Sequence, residues 1–194
     1  MTVGAVVTAA GLSSRMGCFK PLLKIGGIPA AERIISNIHT VGIKDIALVT
    51  GHNAGELENS LNDTCAVFLR NERYAHTEMF DSMKIGLEYL KDKCDRILFT
   101  PVDVPLFTPE TVRLLLKSEA SVVIPIFNQK KGHPVVLEKS AVNEILGYTG
   151  SGGLKGAIEN LLLKVEHVEV RDGGVIYDMD TREDYNKIIK MRSI

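Results

Sequence analysis

The stretch Ala9-Ala10-Gly11-Leu12-Ser13-Ser14-Arg15-Met16-Gly17-Cys18-Phe19-Lys20-Pro21 concentrates groups that suit a polyanion. Its small residues, with Gly11 and Gly17, let backbone N–H groups approach a ligand closely. Ser13 and Ser14 add hydroxyls, and Arg15 and Lys20 add fixed positive charges. N–H groups and cations in one loop suit an oligophosphate. The spacing excludes two familiar phosphate loops. Five residues separate Gly11 from Gly17 and Pro21 follows Lys20, so GxxxxGK[ST] is absent. The dinucleotide fingerprint fails as well, because the second strand ends in Thr50-Gly51-His52 with no acid.

Acidic residues that could complement such a loop lie far downstream. In Thr100-Pro101-Val102-Asp103-Val104-Pro105 the prolines hold the chain extended and fix the direction of Asp103. A bare carboxylate repels a triphosphate, so a bridging Mg²⁺ (or Mn²⁺) is expected between them. Alternation along Tyr177-Asp178-Met179-Asp180-Thr181 puts Asp178 and Asp180 on one side. Either could be the second metal ligand. Asp178 is favoured, because Asp180 lies nearer a helix start and is the better cap candidate. No Ser-His-Asp or Cys-His constellation is legible, and His39, His52, His76 and His167 show no ligand spacing.

These residues need a frame. Val3–Thr8, Asp45–Thr50, Ala66–Arg70, Arg96–Thr100 and Val122–Phe127 read as buried strands. Between them lie helical patterns. Ile34, Ile35, Ile38 and Val41 follow Pro29, with Gly42 as the stop. Asn53–Leu61 is a short polar helix, and Met79, Met83, Leu87 and Leu90 share one helix face. Thr108-Pro109-Glu110 opens a further helix. Beyond residue 127 the rhythm loosens. Pro134–Leu137, Val165–Val170 and Val175–Tyr177 read as strands, and Ala141–Leu146, Leu154–Leu162 and Thr181–Ile189 as helices. The alternation predicts an α/β fold, a Rossmann-like mainly parallel sheet with helices on both faces, over a single domain 1–194. Ligands of such sheets bind at the carboxyl ends of the strands, where the loop and Asp103 fall.

Composition agrees. Apolar residues make up 45% and charged residues 24% of 194, so a folded core is expected rather than a disordered chain. With 23 Lys plus Arg against 24 Asp plus Glu, broad electrostatic binding of nucleic acid or membrane is excluded as the main activity. Cys18, Cys65 and Cys94 lack CxxC spacing, which points to reduced thiols and a cytoplasmic location. No apolar run reaches the roughly 18 residues of a membrane helix.

AAGLSSRMGCFK resembles the AAGxSxRMGxxK signature of the MobA-like nucleotidyltransferase family, and PVDVP resembles its PVDxP metal motif. DMDTREDY is similar to the family ending DxDTPxDY, with Arg182 in place of proline. The likeness implies a nucleotide-diphospho-sugar-transferase-like fold. It also implies transfer of a nucleoside monophosphate to a phosphorylated small-molecule acceptor with release of pyrophosphate. Arg15 would neutralise the β and γ phosphates and Lys20 the charge at the α phosphate. Ala9 to Ser14 and Gly17 would bind nucleotide, and Asp103 and Asp178 the metal. Asn71, Tyr74, Met79 and Ser82 match the segment where a serine meets the nucleotide, so Asn71 and Ser82 are further nucleotide candidates. Gly132-His133-Pro134 and Lys155, where relatives carry Arg, fall on the acceptor side together with Asp180. Ala-Ala-Gly instead of Ala-Gly-Gly favours CTP over GTP, a methyl-sized preference worth about 1–3 kcal/mol. The resemblance makes the acceptor molybdopterin, with transient contact to an enzyme receiving the finished cofactor. Transfer to a sugar phosphate, or a nucleotide-binding regulator without turnover, remain the alternative readings.

Overall fold

A computed structural model describes residues 1–12 and 16–191 of the chain. In chain order it comprises β1 (Val3–Ala9), β2 (Lys24–Ile25), β3 (Ile28–Pro29), α1 (Ala30–Thr40), β4 (Asp45–Thr50), α2 (Ala54–Ser60) and β5 (Ala66–Arg70). There follow α3 (Met79–Leu90), β6 (Arg96–Pro101), α4 (Pro109–Leu115), β7 (Val122–Phe127), β8 (Lys130–Lys131) and β9 (Val135–Glu138). The chain closes with α5 (Lys139–Gly147), α6 (Gly153–Glu159), β10 (Val165–Glu169) and α7 (Arg182–Met191). Eight strands form one sheet in the order β10-β7-β9-β6-β1-β4-β5, with β8 on β7. The pairs β1–β4, β1–β6, β4–β5 and β7–β10 are parallel, whereas β9 runs antiparallel to both β6 and β7. The mainly parallel α/β sheet expected from the sequence is therefore present.

Side-chain alternation explains why these strands lack a polar face. Ala5, Val7 and Ala9 of β1 face one core with Ile34, Ile35 and Ile38 of α1 and Val112 and Leu115 of α4. Val6 faces the opposite core with Met83, Leu87 and Leu90 of α3 and Ala141, Val142 and Ile145 of α5. Each large side chain fully buried this way stabilises by about 1.5–3 kcal/mol. The α3 packing is close enough to require a glycine, because a β-carbon on Gly86 would collide with the Val6 side chain. Among the described residues no helix is long and apolar enough to cross a membrane.

Three features depart from the pattern reading. Lys24–Ile25 and Ile28–Pro29 form a small antiparallel hairpin, too short to show periodicity. The expected start of α2 at Asn53 moves to Ala54, because Asn53 adopts φ 51. The expected strand Val175–Tyr177 is replaced by a tight turn, Gly173–Val175. Asp172 enforces that turn. Its Oδ1 accepts from the Gly174 N–H, while Oδ2 accepts from the Thr108 N–H and the Thr108 and Thr111 hydroxyls at the start of α4. The carboxyl-terminal segment is thereby tied across the ends of the central strands.

Candidate active site

The carboxyl ends of β1 and β6 open onto a cavity of about 310 Å³ lined by Thr8 to Leu12, Lys20, Pro21, Met79, Ser82, Pro101 to Asp103 and Asp180. Both strands are positioned by their ladder partners, and the Val102 N–H donates to the Thr8 carbonyl at 3.0 Å. The amino-terminal loop is anchored at both ends. The His52 N–H donates to the Ala10 carbonyl, and Gly51 passes so near Ala10 and Tyr74 that a β-carbon there would lie 2.8 Å from the Ala10 oxygen. The His52 ring also meets Phe19 edge-on at 5.9 Å between centroids, beside Lys20 in the sequence. Pro21 then buries itself at the head of the turn Lys20–Leu22.

Asp180 reaches the cavity because of the residue before it. Met179 is fully buried against Ile25, Ala30, Leu106 and Ile188, and its N–H donates to the Asp103 carbonyl at 2.9 Å. This clamp lays the strip 178–180 along Asp103. Asp180 Oδ1 accepts from Lys20 Nζ at 2.8 Å, with the lysine side chain only 12% exposed. Burial drives the Asp103 carboxyl from 3.8 up to about 6; Lys20 opposes the rise, and the negative charges of Asp180 and Asp178 add to it. Asp178 is also pushed up, by burial first and then by Asp180 and Asp184.

The sequence-based candidates divide under this geometry. Ala9, Ala10, Gly11, Leu12, Lys20, Ser82 and Asp103 line the one cavity although they come from distant segments. Ser13, Ser14 and Arg15 lie outside the described residues. Gly17 is exposed, at φ 65, and does not line the cavity. Asn71 is corrected from ligand to support. It is buried, its side-chain N–H₂ donates to the Thr77 and Ser82 hydroxyls, and its Oδ1 accepts from the Arg73 N–H. One of its two amide hydrogens holds Ser82. Of the two carboxylates, Asp180 lines the cavity and Asp178, the one favoured as metal ligand, does not. Asp180 is not the helix cap either. Thr181 and Asp184 cap α7 reciprocally, the Asp184 N–H donating to the Thr181 hydroxyl oxygen and the Thr181 N–H to Asp184 Oδ2.

His133 and Lys155 line a neighbouring cavity of about 450 Å³. Met79 belongs to both cavities and forms the wall between them. Phe80, Met83, Phe99, Ile124, Leu154 and Ile158 make the second cavity mostly apolar, and Lys131 adds a cation that sequence reading missed. Its place in Lys130-Lys131-Gly132-His133 was the available signal. Burial pushes the His133 imidazole down to about 4, against a smaller opposing effect of the Phe99 backbone, so the ring is neutral at physiological pH. Lys155 is mostly exposed and pairs loosely with Glu159 at 3.9 Å.

Among the described residues no group of three His, Cys, Asp or Glu side chains could hold a metal ion by itself. Two cavity-facing carboxylates, Asp103 and Asp180, suit a hard cation that completes its shell with phosphate oxygens and water. The donor chemistry therefore fits a divalent ion that arrives with a nucleotide.

A mainly parallel sheet with a cavity at the carboxyl ends of its strands, lined by a lysine and two carboxylates, is the frame in which an α/β protein takes a polyanionic ligand. The family model for the MobA-like NTP transferase domain matches residues 5–168, and the chain belongs to that family. It is 27% identical over 188 residues to the molybdenum cofactor cytidylyltransferase of Escherichia coli (strain K12), covering 94% of this chain and 93% of the relative. A nucleotidyl transferase from Methanothermobacter superposes with a TM-score of 0.85 at 23% identity, covering 100% of this chain and 99% of the other. A Mycobacterium tuberculosis H37Rv protein solved in complex with manganese superposes at 0.79 and 20% identity, over 98% and 99% of the two chains.

Proposed function

We propose that this nucleotidyltransferase moves CMP from CTP to the phosphate of molybdopterin, releasing pyrophosphate and using Mg²⁺. The observation that carries the reading is the convergence of Lys20, Asp103 and Asp180, from three distant parts of the chain, on one cavity. An acceptor phosphate is already an anionic nucleophile at neutral pH, so no general base is required. The chain's task is to let two anions approach and to release a third. A divalent cation bound by Asp103 and Asp180 would neutralise triphosphate charge when present. Lys20, released from Asp180 toward the substrate, donates to oxygens of the α phosphate as charge builds there. The glycine-containing loop offers backbone N–H groups to the remaining phosphates, and Arg15 joins them from its motif position. Ser82, fixed by Asn71, donates its hydroxyl to the nucleoside.

The acceptor assignment draws on the second cavity. A sugar phosphate presents hydroxyls that need polar partners throughout, whereas this cavity is walled mostly by aromatic and aliphatic side chains, with Lys131, Lys155, Glu78 and Glu159 as its charged lining. A flat heteroaromatic body carrying a phosphate suits it better, and the cytidylyltransferase relative supports the same choice. Pyrophosphate release measured with CTP, GTP, ATP and UTP, each with molybdopterin and Mg²⁺, tests the reading. CTP should support the fastest release. Dominance of GTP, or equal release with a sugar phosphate as acceptor, would overturn it.

A further inference from the structure

His52 takes no part in the chemistry described above, yet it touches the cationic loop at both ends. Its N–H donates to the Ala10 carbonyl at 3.2 Å, where the loop leaves β1. Its ring meets the Phe19 ring edge-on, with centroids 5.9 Å apart and planes at 78°, one residue before Lys20. A third ring, that of Tyr74, lies 6.0 Å from the imidazole at 53°. Separations of this size and tilted planes are the attractive arrangement of aromatic rings. The row of Phe19, His52 and Tyr74 joins the connections that follow β1, β4 and β5, and all three residues are half-buried. Its far end is tied to the sheet: the Tyr74 N–H donates to the Asn71 carbonyl at 3.2 Å, and the Asn71 N–H to the Thr50 carbonyl at 2.8 Å.

What this row fixes is the backbone on which Lys20 stands. Phe19 is extended, at φ -76 and ψ 98, and its carbonyl accepts from the Leu22 N–H to close the turn that carries Lys20. Pro21 is buried and holds that turn on its other side. The two residues before Phe19, Gly17 and Cys18, are exposed, and Gly17 sits at φ 65, so they do not brace it. A lysine ammonium rides on a flexible four-carbon stem, so its reach into the cavity is set by where its own backbone is held. Displacing a catalytic group by about 1 Å is enough to cost about 10²-fold in rate. We propose that His52 is a positioning residue for Lys20, its ring holding Phe19 so that the lysine meets the α phosphate in the transition state. The proposal rests on the reading that gives Lys20 to the nucleotide, and it adds the group that aims it.

Pyrophosphate release from CTP, with molybdopterin and Mg²⁺, tests it in wild type, His52→Ala, His52→Phe, Lys20→Ala and the double variant of Lys20→Ala with His52→Ala. His52→Ala should lower kcat about ten-fold and leave KM for CTP within about two-fold, with an unchanged circular dichroism spectrum. His52→Phe keeps a ring in the same place and should hold kcat within about three-fold of wild type. In the Lys20→Ala background His52→Ala should cost less than about two-fold, because the group it positions is gone. Should His52→Ala not fold, Phe19→Leu removes the facing ring, and the same loss of about ten-fold is expected. An unchanged kcat for His52→Ala, a loss that His52→Phe does not restore, or the same loss with and without Lys20 overturns the proposal alone. A folded wild type that releases no pyrophosphate from CTP overturns the proposed function, and the proposal falls with it.

Discussion

Replacing Asp103 with asparagine separates what the carboxylate costs the fold from what it does for turnover. Burial and the neighbouring acids raise the carboxyl from 3.8 to about 6 in the folded protein. A raised pKa means the folded state holds the proton more tightly than the unfolded state does. The resulting stabilisation is complete below about pH 3.8 and is lost as pH rises through about 6. At about 1.36 kcal/mol per pH unit, the ionised carboxylate destabilises the metal-free fold by about 3 kcal/mol at neutral pH. Access of water through the cavity mouth lowers this toward about 1 kcal/mol. In a chain this long each kcal/mol moves the melting temperature by about 2–4 °C. Asp103→Asn should thus melt about 3–10 °C above wild type near pH 8 in EDTA, and the gap should close near pH 4. Mg²⁺ with CTP should then raise the wild-type melting temperature and leave the variant unmoved, while the variant loses metal-dependent turnover. An equal or lower melting temperature for the variant near pH 8, or a gap independent of pH, would refute the reasoning.

Lys20→Ala should lower turnover by about 10²–10³, the usual loss of one preorganised donor, with an unchanged circular dichroism spectrum; near-normal turnover removes Lys20 from the mechanism. Gly86→Ala should destabilise by about 1–3 kcal/mol through its collision with Val6, read as a melting temperature several degrees lower. A neutral melting temperature would mean that α3 can shift off β1 at little cost. His133 stays neutral across the physiological range, so His133→Gln should leave the shape of the pH–rate profile between about pH 5.5 and 8.5 unchanged. Loss of an inflection in that window would place its titration there instead.

The legible parts of this molecule are those written by a repeating physical constraint. Strands buried on both faces must be continuously apolar, which makes Asp45–Thr50 and Arg96–Thr100 plain in the sequence. Helices covering them must repeat at helical spacing, as Met83, Leu87 and Leu90 do. The loop after β1 and Asp103 were legible because ligands collect at the carboxyl ends of such strands. The illegible parts depend on single side chains acting at long range. Asp172 converts an apparent strand into a turn by hydrogen-bonding helix α4, about 60 residues away. Met179, one buried residue whose N–H also bonds the Asp103 carbonyl, lays 178–180 along Asp103, and of the two acids Asp180 lines the cavity. Asn71 was a nucleotide candidate through the resemblance of its segment, but its side-chain partners are Ser82, Thr77 and Arg73. None of these contacts leaves a periodic trace.

The central claim is that one nucleoside triphosphate is shared by groups from both ends of the chain. Crystals grown with CTP and Mn²⁺ test it most directly, because anomalous scattering locates the ion. The account predicts manganese between the Asp103 and Asp180 carboxylates and a phosphate oxygen, with Lys20 turned from Asp180 to the phosphates. Manganese bound away from Asp103, or a triphosphate out of reach of Lys20, would contradict it.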